Sequence, residues 1–266
     1  MAEYSAVHPG VPSYDVLFSH ARTTKNCLVI PVINEGSRLI SLLGKIQKNT
    51  EKAKLDILIV DGGSTDGSLE QTAMQTFGVS ALLLKTGPGR LSAQLRCAYD
   101  YALRAGYEGI LTIDGNDKDD PAAIPLMLKE LDSGVDFVQA SRYIAGGKAV
   151  NTPALRDFAI RYIHAPILRV ASGFPWTDTT QGFRAYSRRA LVDPRVSIFR
   201  NVFNSYELLA YLSYRLPRLG YLCREVPSTR TYPKGTVPTK ISSVRGNLEV
   251  LTILVKAVLG VYNPKV

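Results

Sequence analysis

The chain has 266 residues, of which 45% are hydrophobic and 21% charged, a composition typical of a soluble globular protein and sufficient for one large α/β domain. Lysine and arginine outnumber aspartate and glutamate by 32 to 23, and the formal net charge of +9 indicates an anionic partner such as nucleic acid, an acidic membrane surface or a phosphorylated small molecule. The three cysteines form no CxxC or Cys/His cluster, which argues against a disulfide framework and a structural zinc site.

The first residues predict little regular structure. Residues 1–24 contain Pro9, Gly10 and Pro12 and no sustained periodicity, so we interpret them as an extended arm or a short preceding helix. They lack the basic start and apolar core of a secretory signal, and no later segment has the length and hydrophobicity of a membrane span. The sequence therefore predicts a cytoplasmic protein.

From Asn26 onward, short apolar runs alternate with amphipathic stretches. The pattern predicts strands at NCLVIPVI, LDILIVD, SALLLK, GILTID and VDFVQAS, and helices at SRLISLLGKIQKN, TDGSLEQTAMQTF, RLSAQLRCAYDYALRAG and AAIPLMLKELDSG. Such alternation is typical of an α/β fold whose mostly parallel central sheet has helices on both faces.

After residue 150 the alternation loosens. The pattern predicts a helix near PALRDFAIRYIHAPILRVAS, a short strand at TDTTQGFRAYS, a helix from Asn204 to about Arg218, a strand at YLCREVPS, and a basic loop before a final helix. We place the main domain at residues 25–245 and a packed C-terminal helix at 246–266, with Leu251, Leu254, Val255, Val258 and Tyr262 on one face.

Two acidic stretches, VDGGSTDGS and IDGNDKDDP, follow predicted strands. Ligands of parallel α/β sheets bind beyond the carboxyl ends of the strands, so we expect both stretches to border one crevice. Asp61 can hydrogen-bond a ribose or base, and Ser64, Thr65 or Asp66 can cap the next helix. No GxGxxG and no GxxxxGK[ST] occurs, which removes the best support for a dinucleotide-dependent dehydrogenase or a P-loop NTPase.

Six segments, in this order, carry a family resemblance: IPVINEG, IVDGGSTDGS, IDGNDKDDP, ASRYIAGG, TDTTQGFRAY and YPKGTVPTKIS. They are similar to segments of the large inverting family of GT-A glycosyltransferases that includes dolichol-phosphate mannose synthases and bacterial polyprenyl-phosphate glycosyltransferases. The resemblance covers about residues 26–245. It implies a GT-A fold, with a Rossmann-like nucleotide-binding half and an acceptor half, and a nucleotide-diphosphate-sugar donor.

The resemblance also implies which residues meet the donor. Pro31, Asn34 and Glu35 would lie by the nucleoside, Asp61 would contact the base or ribose, and Asp114 would begin the motif that handles metal and diphosphate. The full set of expected donor-binding residues is Pro31, Asn34, Glu35, Asp61, Gly62, Ser64, Asp114, Gly115, Asn116, Lys118, Arg230, Lys234 and Lys240. The last three belong to a basic loop suited to close over a diphosphate.

The implied cofactor is Mg²⁺ or Mn²⁺, with Asp114 and Asn116 as its candidate protein ligands. The family usually has an acid where this chain has Asn116, which supplies a carbonyl oxygen without charge and should weaken metal binding unless Asp117, Asp119 or Asp120 compensates. Lys118 is an alternative partner for the diphosphate. Capping of the helix at Pro121 is a competing interpretation for Asp119 and the favoured one for Asp120.

The acceptor side is expected around the later motifs. By resemblance, Arg142 and Arg156 would hold an acceptor phosphate, and Asp178 would act as a general base or only position the acceptor. The expected catalytic residues are thus Asp114, Asp178 and Arg142, and the expected acceptor-binding residues are Arg142, Arg156, Gln181, Arg184 and Glu207. For Trp176, packing is favoured over stacking on a sugar.

The acceptor itself stays open between polyprenyl phosphate, which would imply peripheral membrane contact, and a soluble hydroxyl or phosphorylated metabolite. Two other functions remain as alternatives. A nucleic-acid-binding protein would account for the charge, but the basic residues are dispersed and no nucleic-acid-binding motif occurs. A sugar nucleotidyltransferase would share the architecture but lacks its glycine-rich basic N-terminal signature.

Overall fold

The computed structural model describes residues 8–50, 55–233 and 244–265. Its centre is an eight-stranded sheet with the strand order β1-β4-β3-β2-β5-β8-β6-β9. These strands are β1 (Tyr14–Ser19), β2 (Asn26–Val32), β3 (Asp56–Asp61), β4 (Val79–Lys85), β5 (Gly109–Thr112), β6 (Phe137–Ser141), β8 (Arg184–Ser187) and β9 (Cys223–Pro227). A separate pair joins β7 (Lys148–Val150) and β10 (Thr229–Thr231) in parallel.

Helices cover both faces of the sheet. They are α1 (Ser37–Thr50), α2 (Gln71–Thr76), α3 (Leu91–Arg104), α4 (Ile124–Asp132), α5 (Ala154–Ala159), α6 (Ala165–Ser172), α7 (Arg188–Val192), α8 (Glu207–Arg218) and α9 (Val244–Val258). The structure thus confirms the predicted α/β fold.

Apolar side chains of the central strands are buried on both sides, which explains why β2 and β3 read as continuous hydrophobic runs. One core cluster joins the sheet to α3, α8 and α9, and a second joins it to α1, α2 and α4. The C-terminal helix packs as expected through Leu254, but Val255 is exposed, so the packed face is rotated toward Ile253 and Ala257.

The strand register defines the crevice. Strands β4, β3, β2 and β5 run parallel, so their carboxyl ends open on the same edge of the sheet. Strand β8 is antiparallel between β5 and β6, with Arg184 opposite Thr112, and it therefore begins at that edge. The loops after β2, β3 and β5 consequently meet the segment that precedes β8.

Three local predictions differ from the structure. Part of the N-terminal arm, β1, pairs antiparallel with β4 and closes that edge of the sheet. The helix predicted from Thr65 begins only at Gln71, because Asp66 accepts hydrogen bonds from Ser68 and Gly67 has a φ of 73°. The long helix predicted over residues 153–172 is interrupted by a π-helical turn at Ile160–His164.

Within the described ranges, the structure contains no helix long and apolar enough to cross a membrane.

Candidate active site

The loops after β2 and β3 hold each other in place. Asn34 has a φ of 53°, and its side-chain oxygen accepts a hydrogen bond from the Thr65 backbone at 2.8 Å. Its own backbone N–H donates to the Ser64 hydroxyl at 3.0 Å. Asp61 in turn accepts from the Ser64 backbone at 2.9 Å and from its hydroxyl at 2.7 Å. Asn34, Asp61 and Ser64, three of the predicted nucleoside-side residues, therefore form one preassembled corner.

Pro31 and Glu35 have buried positions beside this corner. Pro31 is the penultimate residue of buried β2, and its carbonyl accepts from Gly115 at 3.4 Å. Glu35 accepts from the Arg38 guanidinium at 2.7 Å, so an ion pair on the first turn of α1 holds its carboxylate. Glu35 is thus a buried carboxylate paired with Arg38, just after β2.

Gln94, which packs against Gly62, is a site residue that the sequence did not indicate. A Cβ at position 62 would lie 2.8 Å from the Gln94 side-chain nitrogen. That amide donates to the carbonyls of Val32 at 2.9 Å and Val60 at 3.2 Å, so α3 ties the ends of β2 and β3 together. Gln94 stands in an ordinary helical pattern and carried no sequence signal for this role.

Asp114 follows β5 at the centre of the crevice edge. Its carboxylate is partly exposed, at 22% of its side-chain surface. A Cβ on Gly182 would overlap Asp114 Oδ1, so the TDTTQGFRAY segment can approach the carboxylate only because residue 182 is glycine. Gly115 is also close-packed, since its Cβ would lie 3.1 Å from Val32.

The other acids of the IDGNDKDDP stretch have separate partners. Asp117 accepts from Lys45 at 2.8 Å and from Ser41 at 2.7 Å, both on α1. Asp120 caps the short helix at Pro121 by accepting from Ala122 at 3.0 Å, which agrees with the favoured interpretation. Asp119 does not cap that helix, because its carboxylate is buried in an ion pair with Arg230.

Arg230 links the basic segment to the acidic strand end. Besides Asp119, its guanidinium lies 3.6 Å from Asp114. Burial opposes the charge on Arg230, but the carboxylates of Asp119 and Asp114 outweigh burial and raise its pKa. Lys118 lies above the Tyr232 ring, with 5.1 Å between Nζ and the ring centroid. Burial and the neighbouring Arg230 lower the pKa of Lys118.

The residues present fit a divalent ion only if substrate phosphates supply part of its ligands. Asp114 supplies a carboxylate at the crevice, whereas the Asn116 side-chain oxygen already accepts the Lys118 backbone N–H at 3.2 Å. Asp117 and Asp119 are held by Lys45 and Arg230. Among the described residues, no three acidic, histidine or cysteine side chains are grouped to hold an ion. Mg²⁺ is commonly bound by one or two carboxylates plus substrate phosphates, and this donor set suits that arrangement.

Arg142 and Asp178 form a buried bidentate ion pair. Arg142 Nε and Nη2 lie 2.7 and 3.0 Å from the two carboxylate oxygens, and both side chains are almost fully buried. Gln181 and Thr180 also donate to Asp178, at 2.8 and 3.2 Å. Burial alone would raise the pKa of Asp178, but the Arg142 guanidinium outweighs it and lowers that pKa below its ordinary value.

Glu225 supports this pair and was not identified from the sequence. Its carboxylate accepts from the backbone N–H groups of Thr177 and Asp178 at 2.9 and 3.0 Å. It thereby orients the loop that carries Asp178.

Arg156 lies on α5, with its Nη1 donating to the Tyr232 hydroxyl at 3.2 Å.

Two residues expected to bind the acceptor, Arg184 and Glu207, have internal hydrogen-bond partners. Arg184 is buried, and its guanidinium donates to the carbonyls of Gln181, Leu209 and Thr179 and to the Ser213 hydroxyl. Glu207 accepts from the backbone of Asn204 and Ser205 at the start of α8. Arg184 therefore braces the core and Glu207 caps a helix, because each found local carbonyl or amide partners that the sequence did not specify.

Other expectations are resolved more simply. Trp176 is fully buried against Phe137 and Phe174, and its ring N–H donates to the Ser213 carbonyl at 2.9 Å, as packing predicts. Lys234 and Lys240 lie outside the described residues.

Comparison with known proteins agrees with this geometry. A sequence model described as glycosyl transferase family 2 matches residues 27–193. The polyprenol monophosphomannose synthase of Mycolicibacterium smegmatis is 27% identical over 212 residues, covering 79% of this chain and 78% of its own. The undecaprenyl-phosphate mannosyltransferase of Micrococcus luteus is 29% identical over 204 residues, covering 76% and 81%.

Solved structures share the fold at low sequence identity. The glucosyl-3-phosphoglycerate synthase of Mycobacterium tuberculosis, in complex with Mn²⁺, UDP and glucosyl-3-phosphoglycerate, has a TM-score of 0.60 at 15% identity and covers 91% of this chain and 82% of its own. The mannosyl-3-phosphoglycerate synthase of Rubrobacter xylanophilus has a TM-score of 0.61 at 15% identity, covering 88% and 72%. These similarities confirm the predicted GT-A fold.

Proposed function

Because the chain belongs to glycosyl transferase family 2, the protein is a glycosyltransferase, and we propose that it transfers one sugar from a nucleotide-diphosphate sugar with inversion at the anomeric carbon. The observation that carries this proposal is the meeting of opposite charges at one crevice. Asp61 is the last residue of β3, and Asp114 follows β5 by two residues. These two strands flank β2 in the sheet. Arg230, from the other half of the chain, lies 3.6 Å from Asp114. Carboxylates suit ribose hydroxyls and a metal, while guanidinium groups suit phosphate.

Each group has a defined part in the proposed reaction. The Asn34–Asp61 corner receives the nucleoside, and Lys118 and Arg230 face the diphosphate. Asp114 and the Asn116 carbonyl would hold Mg²⁺ or Mn²⁺, which would supply positive charge to offset that of the departing nucleotide. An acceptor oxygen bonds to the anomeric carbon as the bond from that carbon to the diphosphate oxygen breaks, and the electron pair leaves with the diphosphate. A single displacement of this kind inverts the configuration.

The state of Asp178 supports an acceptor that is already anionic. Its lowered pKa keeps the carboxylate ionised, and Arg142, Thr180 and Gln181 occupy its oxygens. A carboxylate bound in this way is a weak proton acceptor, whereas a phosphate nucleophile needs no base. We therefore assign Asp178 a positioning role and expect a phosphate-bearing acceptor at Arg156, with Arg142 behind it.

The surface beside Arg156 supports polyprenyl phosphate over a soluble phosphorylated metabolite. Helix α5 has no buried residue, and Leu155 and Phe158 on it are 74% and 53% exposed. Tyr162 and Val170 continue the exposed apolar surface, with Arg161 and Arg169 interspersed. Apolar side chains mixed with basic ones are typical of helices that lie at an anionic membrane surface, and peripheral membrane contact is part of the proposal.

Thermal-shift titration tests the donor first. UDP-, GDP-, CDP- and TDP-sugars, each with and without MnCl₂, should include one that raises the melting temperature, because a ligand that binds only the folded state stabilises it by mass action. A short-chain polyprenyl phosphate and 3-phosphoglycerate are then compared as acceptors in a transfer assay with that donor. Absence of stabilisation by every millimolar nucleotide-sugar would overturn the proposed function.

The two alternative functions predict other outcomes. A nucleotidyltransferase would release pyrophosphate from a nucleoside triphosphate and a sugar phosphate. A nucleic-acid-binding protein would show salt-sensitive binding to DNA or RNA without donor hydrolysis or transfer. Either result, in the absence of sugar transfer, would replace the proposal.

A further inference from the structure

Tyr232 has an unusual position among the cations of the crevice. Its side chain is buried, with 2% exposed. Its backbone N–H donates to the Val150 carbonyl at 3.0 Å, and its carbonyl accepts from the Asn151 side chain at 3.2 Å. The aromatic ring is thus held rigidly at the end of β10, behind the basic side chains.

Three cations from three different elements meet this one ring. The distances to the ring centroid are 5.1 Å for Lys118 Nζ, 5.7 Å for Arg230 Cζ and 5.9 Å for Arg156 Cζ. Lys118 comes from the loop after β5, Arg230 from β10 and Arg156 from α5. A ring face attracts cations within about 6 Å, so Tyr232 offsets the repulsion that such a cluster would otherwise have.

The hydroxyl adds a directional contact. Arg156 Nη1 donates to the Tyr232 hydroxyl at 3.2 Å, while Arg156 itself is only half-buried. Burial would raise the pKa of Tyr232, but Arg230, Arg156 and Arg142 outweigh burial and lower it. The phenol therefore lies in a strongly positive surrounding, where its oxygen is a good acceptor for the Arg156 guanidinium.

We propose that Tyr232 is a positioning residue, which holds Arg156 in the orientation that receives the phosphate group of the acceptor. The inference rests on the proposed function and deepens it, because it assigns an unrecognised residue to the acceptor half of the site. Tyr232 is too buried to touch the acceptor and acts through the cations in front of it. The ring sets where Arg156 lies, and the hydroxyl sets the direction of the Arg156 guanidinium.

The test uses inorganic phosphate as the probe and measures binding without requiring transfer. The full-length protein is first saturated with MnCl₂ and whichever nucleoside diphosphate stabilises it most, so that phosphate is not titrated into the donor site. Tyr232→Phe, which keeps the ring, should weaken phosphate binding about tenfold and leave nucleoside-diphosphate binding unchanged. Tyr232→Leu, which removes the ring as well, should weaken phosphate binding further.

Tyr221→Phe provides the matched control. Its hydroxyl donates to Asp193, and Arg189 lies 5.8 Å from its ring, so the same atom is removed from a similar tyrosine–arginine contact just before β9 begins. Phosphate binding should not change in this variant. In the transfer assay, Tyr232→Phe should raise the acceptor KM with little change in kcat.

Different failures have different meanings. If the wild-type protein binds no nucleoside diphosphate, the proposed function fails. If nucleoside diphosphate binds but phosphate binding is absent, or is equal in the wild type and Tyr232→Phe, the positioning role is wrong. Equal weakening of phosphate and nucleoside-diphosphate binding, together with a lowered melting temperature, would show a purely structural role and would also overturn the inference.

Discussion

At the scale of single residues, the acceptor half depends on how one buried charge is compensated. Arg142 lies in the protein interior with Asp178 as its bidentate partner, and Gln181 and Thr180 complete the hydrogen bonds of that carboxylate. A buried ion pair of this kind contributes little net stability relative to apolar residues, but the loss of one partner leaves an uncompensated charge. The pair therefore fixes the relative positions of Arg142 and Asp178, and the stability of the protein is sensitive to substitution of either residue.

Replacing Asp178 by Asn should lower the free energy of unfolding by about 3–5 kcal/mol, because the Arg142 guanidinium loses its buried counter-charge. Denaturant titration at pH 7 measures the change. Asp132→Asn is the matched control, since Asp132 pairs with Lys25 where both side chains are about half exposed, and it should change stability by less than about 1 kcal/mol. A loss of similar size in both variants would contradict the structural importance of the Arg142–Asp178 pair.

The absence of a side chain at Gly182 leaves room for the Asp114 carboxylate. Gly182→Ala should displace the Asp114 carboxylate, because the new methyl group would overlap Oδ1. We expect transfer to fall about 100-fold, the effect of roughly 1 Å of misplacement at a reacting centre. Gly44→Ala, on α1 with no atom within 4 Å of the new Cβ, should leave activity unchanged and stabilise the helix slightly. Normal kcat in Gly182→Ala would remove Asp114 from the proposed mechanism.

At the scale of elements, strand β3 has an aspartate at each end, and the two aspartates hold different parts of the chain in place. Asp61, at the carboxyl end, organises the corner that it forms with Asn34 and Ser64 by accepting hydrogen bonds from Ser64. Asp56, at the amino end, accepts from Thr23, Thr24 and Tyr107 and ties the segment before β2 to the sheet. Parallel packing places the first acid in the crevice and the second at the opposite edge.

The Asp56 contacts predict an acid-dependent stability. Burial would raise the pKa of Asp56, but hydrogen bonds from Thr23 and Tyr107 outweigh burial and lower it. A carboxyl with a folded-state pKa below its unfolded value stabilises the protein above the unfolded pKa, about 3.9, and this stability is lost as pH falls through the folded pKa.

Asp56→Asn should therefore cost about 2 kcal/mol of stability at pH 7, a value typical for hydrogen bonds to a charged group. The difference from the wild type should shrink as pH falls below about 4. Urea unfolding from pH 7 to pH 3 measures it, with activity at pH 7 as the check that the crevice is intact. A difference that stays constant with pH would show that the Asp56 charge does not matter.

At the scale of the whole molecule, exposed apolar side chains on neighbouring helices define the surface proposed to contact a membrane. The net charge is +9, and α5 exposes Leu155 and Phe158 next to Arg156. Helix α6 contacts α9, and Leu248 on α9 and Leu259 just after it are exposed. Large apolar side chains on neighbouring helices are more than scattered surface residues and are typical of an interaction surface.

The double variant Leu155→Asp with Phe158→Asp should bind vesicles of anionic phospholipid at least about tenfold more weakly than the wild type, because it removes apolar contacts and adds repelling charge. Co-sedimentation measures binding, and added salt should weaken the wild-type signal. Val192→Asp with Leu222→Asp is the control, since these exposed apolar residues lie beyond the amino ends of β5 and β9. Unchanged vesicle binding in the first variant would separate α5 from any membrane contact.

The amino-acid sequence by itself determined the sheet, the helices on its faces and the edge where the site lies, because apolar periodicity and strand-end acids are local patterns. Asp61 ends β3, and Asn34 and Asp114 follow β2 and β5, so all three lie at the edge where these parallel strands have their carboxyl ends. Asp120 as a cap followed from its position before Pro121. The strand and helix patterns and the Asp120 cap depend on residues a few positions apart.

Only the tertiary structure decided which charged groups pair. Asp119 pairs with Arg230, 111 positions away in sequence, and Arg142 pairs with Asp178, 36 positions away. Arg184 donates to backbone carbonyls and Glu207 accepts from backbone amides, and no sequence motif predicts these partners. A side chain of several rotatable bonds can reach many partners, and the burial and hydrogen bonding that select one of them exist only after distant segments have packed.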